Sequence, residues 1–192
     1  MNLKRCIALF LLTVLLCGCS VNRIPEKEAS EIYFLPESYF NFAHVEPEDE
    51  AASYNELGPD FCTKAEAGDG GMRIELTPGQ RDRMISRNNE FLQGYFDSLT
   101  KKSSEFSYTT DPDYKKIDLY FDETVDSSFQ LNLYSACVIA YAANQILQTN
   151  DPEWNVVLTV YNCHTKKTVI TFDAPYGDVS LEDDDWERSY KN

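Results

Sequence analysis

The sequence predicts an α+β fold. It reads as a two-layer sandwich in which an antiparallel sheet of two hairpins carries two helices on one face, in the order β-α-β-β-α-β-β. Three observations lead there. The apolar period in residues 72–176 switches between helical and alternating stretches, and each helical stretch is followed by a pair of alternating ones. Turn residues separate the members of each pair. A body of this size matches the common size of one domain.

The body opens with a strand over Met72 to Leu76. Thr77-Pro78-Gly79-Gln80 then starts a helix, with Thr as N-cap, Pro at the first helical position and Gln closing a capping box. Met84, Ile85, Phe91, Leu92, Tyr95, Phe96 and Leu99 lie on one stripe of that helix. From Glu105 the period becomes two. Phe106 and Tyr108 form one strand, Asp111-Pro112-Asp113 a turn, and Ile117, Leu119 and Phe121 the return strand. Asp126-Ser127-Ser128 caps a second helix through Leu131, Tyr134, Cys137, Val138, Tyr141, Ile146 and Leu147, and Asn150-Asp151-Pro152 stops it. Trp154 to Tyr161 is apolar on both faces, so it belongs at the centre of the sheet. Thr168 to Phe172 returns as its hairpin partner.

The flanks differ in composition. Residues 19–71 read as an acidic tether, with Pro25, Pro36, Pro47 and Pro59 spaced along it and Gly68, Gly70 and Gly71 at its end. As a coil, its fifty or so residues would span about 40 Å. The aromatic segment 32–42 is too apolar for a solvated linker. It is expected to pack on the domain as an extra strand or short helix, the other reading being a segment that docks on a partner. Residues 177–192 read as an acidic C-terminal tail.

Residues 1–18 have the parts of an export signal. Lys4 and Arg5 precede an apolar run from Ile7 to Leu16 broken only by Thr13. The run is too short to span a bilayer, which takes about 20 apolar residues, and fits a signal core. Leu16-Cys17-Gly18-Cys19 resembles the lipobox of bacterial lipoproteins: a branched apolar residue, a small residue, Gly or Ala, then Cys. The resemblance covers the first twenty residues, with Cys17 where the pattern more often has Ala, Ser or Thr. It implies cleavage between Gly18 and Cys19 and a diacylglyceryl group on Cys19, with N-acylation as a further modification. It implies no other cofactor. It also implies an extracytoplasmic protein anchored to the membrane by lipid, and because Ser20 is not Asp the outer membrane of a two-membrane bacterium is open to it. Two acyl chains give stable anchoring, at about 0.8 kcal/mol per buried methylene.

Charge narrows the partners. The net charge is −15, and losing residues 1–18 removes Lys4 and Arg5 and no acid, leaving −17. Such a chain repels nucleic acid and anionic headgroups. The lipid accounts for membrane attachment that electrostatics would oppose.

Candidate chemistry is sparse. With Cys6, Cys17 and Cys19 assigned to the signal and anchor, Cys62, Cys137 and Cys163 remain, and no spacing selects a disulfide among them. Cys163-His164 is the one pairing that suggests a nucleophile with its base, but neighbours in a strand or turn usually point apart. His44 reads as a surface residue. No zinc-ligand spacing is present, so neither catalytic nor metal-binding residues are assigned. The tail acids (Asp178, Glu182, Asp183, Asp184, Asp185, Glu187) could gather Ca²⁺, yet they lack the spacing of an EF-hand loop. The expected function is therefore a non-catalytic lipoprotein that binds or supports another envelope component, a protein in the first instance. The alternatives are an extracytoplasmic enzyme using Cys163 and His164, or an acidic inhibitor or immunity-type protein.

Overall fold

A computed structural model describes residues 29–103, 105–177, 180–182 and 184–191. The signal segment, the lipobox and Cys19 lie outside the described residues, as do Asp178 and Asp183 of the tail. The chain is α+β, with helices and two separate sheets. In order it runs β1 (Glu31–Pro36), α1 (Glu37–Ala43), α2 (Pro47–Glu56), β2 (Lys64–Gly68), β3 (Gly71–Leu76), α3 (Pro78–Lys102), β4 (Ser107–Thr110), β5 (Lys116–Phe121), α4 (Ser127–Thr149), β6 (Val156–Asn162), β7 (Thr168–Ala174) and α5 (Asp185–Tyr190).

The first sheet has the order β1-β3-β2 and is antiparallel throughout. Its central strand is the strand predicted at Met72 to Leu76. Both of its neighbours come from the stretch expected to be a tether, and that expectation is corrected from residue 31 onward. The cause is visible in the side chains: Tyr33, Leu35, Tyr39 and Phe40 are each at least nine-tenths buried, and they join the common core. Both forms foreseen for the aromatic segment occur, since it makes strand β1 and then helix α1. Gly71 stands where the backbone of β1 leaves no room for a side chain. Its φ is +149°, and a Cβ there would collide with the Leu35 carbonyl oxygen.

The second sheet has the order β4-β5-β6-β7. Both predicted hairpins form, β4 with β5 and β6 with β7, and β6 is internal as expected. The wholly antiparallel sheet is corrected at one junction, because β5 and β6 run parallel. Helix α4 lies between them in sequence and carries the chain back to the starting end, and such a crossover joins parallel strands.

Helix α4 is the centre of the molecule rather than a cover on one face. Leu133, Tyr134, Cys137, Val138, Ala142 and Ile146 are fully buried, and Ala136, Ala140 and Ala143 nearly so. A helix apolar on every side must be enclosed. It packs on β6 on one side and meets α3, α1 and β1 on the others. Its N-cap is Asp126, which accepts from the Phe129 amide at 3.1 Å. Helix α3 starts at the predicted capping box: Gln80 donates its amide to Thr77 Oγ1 at 3.3 Å, and Thr77 returns its own to Gln80 Oε1 at 2.7 Å.

The reading of 177–192 as a free tail is corrected at α5. Trp186 is buried against the Phe121 ring, with centroids 5.4 Å apart, and donates Nε1–H to Gln130 Oε1 at 3.2 Å.

Strand alternation gives the second sheet two unlike faces. Ile117, Leu119, Phe121, Val156, Leu158 and Val160 turn to the core. The other face aligns Thr109, Asp118, Thr159 and Thr171 in one row across four strands. Beside that row Tyr120 and Tyr161 stack, 4.9 Å apart at 12°. Both rings are partly exposed, and Lys166 Nζ lies 5.7 Å from the centroid of the Tyr120 ring. Among the described residues Asp118 Oδ1 has no hydrogen-bond partner, while Oδ2 is held by Lys116 Nζ at 3.0 Å.

Candidate functional site

The parallel junction brings chemistry together. In open sheets with parallel strands, the carboxyl ends of those strands open onto a crevice built from the following loops. Here β5 ends into Asp122 and β6 ends into Cys163 and His164. The Cys163 amide donates to the Phe121 carbonyl at 2.9 Å, which extends the pairing of the two strands to this point. Glu105 arrives on the connection between α3 and β4.

The turn after β6 is built by one side chain. Asn162 is fully buried, and its Oδ1 accepts from the amides of His164 at 2.9 Å and Thr165 at 3.2 Å. Its Nδ2 donates to Ser189 Oγ at 2.9 Å, so α5 buttresses the turn. This local bend overrides strand alternation. The expectation that Cys163 and His164 point apart is therefore corrected: Cys163 Sγ, a His164 ring nitrogen and a Glu105 carboxylate oxygen all lie within 4.8 Å of one another. His164 Nδ1 is 3.2 Å from Glu105 Oε2, and Nε2 is 3.9 Å from Asp122 Oδ2.

Asp122 is fixed from behind. Its Oδ1 accepts from the Thr124 amide at 3.0 Å and from the Thr124 hydroxyl, and its Oδ2 from Ser103 Oγ at 3.4 Å. Desolvation raises its pKa, but these bonds outweigh it together with nearby His164 and hold the carboxyl below its ordinary value. The Cys163 thiol moves the other way. Burial pushes it up, and the charges of Asp122 and Glu105 push further, with Lys166 only partly opposing them. The thiolate is the nucleophilic form. The surroundings of Cys163 thus disfavour its thiolate.

The other candidates separate. Cys62 and Cys137 are buried, and with Cys163 they are free thiols, so no disulfide forms among the described residues. Burial raises both. His44 is exposed at the left-handed C-cap of α1, as a surface residue would be. Glu182, Asp184 and Asp185 do converge, but Arg188 reaches all three and supplies the cation itself. A shallow groove of about 410 Å³ lies beside the loop from β5 to α4, floored by Gln130 and Trp186. Gln130 is already committed, accepting from Tyr134 and Trp186 and donating to the Val125 carbonyl.

Sequence reading missed Glu105 and Asp122. Each sits at the edge of a predicted strand with no motif around it, and their meeting depends on β5 and β6 being parallel. No family model matches the chain, and neither the curated proteins nor the solved structures contain a match to it.

Proposed function

We propose that this chain is a lipid-anchored extracytoplasmic protein whose α+β domain binds another cell-envelope component without catalysing a reaction. Leu16-Cys17-Gly18-Cys19, behind its basic and apolar leader, carries the anchoring half of the reading. The face of the second sheet turned away from the core supports the binding half. It offers a flat aromatic pair, Tyr120 and Tyr161, beside the row of Thr109, Asp118, Thr159 and Thr171. Burial of Cys163, with the charges of Asp122 and Glu105 beside it, raises its thiol pKa and so disfavours a resting thiolate nucleophile.

The two halves are tested separately on the full chain in cells. Cys19→Ser is expected to abolish incorporation of labelled fatty acid and to release the protein from membranes. A Tyr120→Ala, Tyr161→Ala double variant is expected to stay on the membrane and to lose cross-linking to its envelope partner. Label retained on Cys19→Ser would defeat the anchor, and unchanged cross-linking of the double variant would defeat the assigned face. The convergence of Cys163, His164 and Glu105 is the observation that favours an enzyme instead. On the binding reading, Cys163→Ala leaves no hydrolase or transferase activity to lose.

A further inference from the structure

We propose that Cys163, His164 and Glu105 form a Zn²⁺ site at the carboxyl end of the parallel strand pair. Three kinds of donor meet there: a sulfur, an imidazole nitrogen and a carboxylate oxygen, all within 4.8 Å of one another. That mixture suits zinc, because Ca²⁺ and Mg²⁺ prefer oxygen alone. Around tetrahedral zinc, bond lengths of about 2.0–2.3 Å put neighbouring donors about 3.5 Å apart. Glu105 and His164 are about half exposed, so their side chains are free to make the small contraction this requires. Cys163 is the fixed member, buried and tied through its amide to Phe121.

The surroundings supply what a bound metal needs beyond its ligands. A zinc-bound histidine commonly gives its other ring N–H to a carboxylate, which sets the tautomer and strengthens the bond. His164 presents Nδ1 to the Glu105 side and Nε2 to Asp122, and Asp122 is itself held by Thr124 and Ser103. The contrast with the tail acids is informative. There Arg188 fills the centre of the carboxylate group, whereas among the described residues no lysine or arginine forms an ion pair with Glu105 or Asp122. Binding replaces the thiol proton, which passes to solvent, with the metal. Three protein donors leave a fourth position on the exposed side, which on the binding reading a donor from the envelope partner fills.

Cobalt titration of the detergent-solubilised full chain tests the site, with Zn²⁺ as competitor. The expected result is a thiolate-to-cobalt charge-transfer band in the near ultraviolet, with the intense visible bands of tetrahedral cobalt, both erased by Zn²⁺. Cys163→Ser should remove the charge-transfer band. His164→Ala and Glu105→Gln, both at exposed positions, should keep the parent circular dichroism spectrum and weaken binding by tenfold or more. Asp122→Asn should weaken it about 10- to 100-fold, the usual effect of losing an outer carboxylate. A charge-transfer band that survives Cys163→Ser would place the metal on another cysteine and overturn the assignment. Weak octahedral binding indifferent to all four substitutions would overturn it as well.

Discussion

At the scale of single residues, the fold accepts unfavourable placements where packing gains exceed them. Glu50, in the first turn of α2, shows this. Desolvation raises its pKa, and the hydrogen bond from Tyr54 only partly opposes the shift. A carboxyl whose folded pKa is raised contributes stability below its unfolded value, about 4.3, and loses it as pH rises through the folded value. Glu50→Gln should therefore raise the melting temperature at pH 7, by on the order of 2 °C, and the difference should vanish near pH 4. Thermal melts of both proteins at the two pH values decide this. A gain of equal size at both would mean that the charge of Glu50 is not the cause. Asp118 is a second such placement, with one buried oxygen unpaired in the middle of the open sheet face. Leaving such an atom unpaired costs about 1–3 kcal/mol.

At the scale of elements, legibility followed periodicity. Both long helices and strands β5, β6 and β7 were readable because each repeats its apolar pattern over enough residues, and the capping box at Thr77 because Thr and Gln stand at its fixed spacing. Helix α5 was not. It has six residues, and the acids around it mask one decisive side chain, Trp186. Burying that indole is what turns an acidic tail into a packed element. Trp186→Ala should destabilise the protein by about 3–5 kcal/mol, read from urea unfolding. A loss below about 1 kcal/mol would mean that α5 is ornamental to the core. The parallel pairing of β5 with β6 was equally hidden, since strand direction across a helical crossover leaves no mark in composition. The candidate site inherits that opacity: Asp122 and Cys163 become neighbours only through the junction. The pair Cys163-His164 could be named from the sequence, but its geometry depends on the turn that Asn162 builds.

At the scale of the whole molecule, one core runs from Tyr33 to Trp186. The body expected at 72–176 is thus less than the folding unit. Cutting it free would strip β1 and β2 from both edges of β3 and α5 from Phe121, exposing Met72, Ile74 and Leu76. A 72–176 fragment should lack a cooperative thermal transition, whereas residues 29–192 should show one. Circular dichroism melts of the two make the comparison, and a sharp transition in the shorter fragment would show that the first sheet is dispensable. Composition misled here for a physical reason. Acids and prolines on the outer surface of residues 31–71 outnumber the aromatics beneath them, and average polarity does not register which side of a strand is apolar.

The incorporation of β1 into the first sheet has a consequence for distance. On the lipoprotein reading, the leash no longer extends to residue 71 but ends at Glu31, where pairing with Leu76 begins. Fully stretched, the chain from Cys19 to Glu31 covers at most about 40 Å, and as a coil about 20 Å. Such a short leash keeps the domain next to the lipid headgroups.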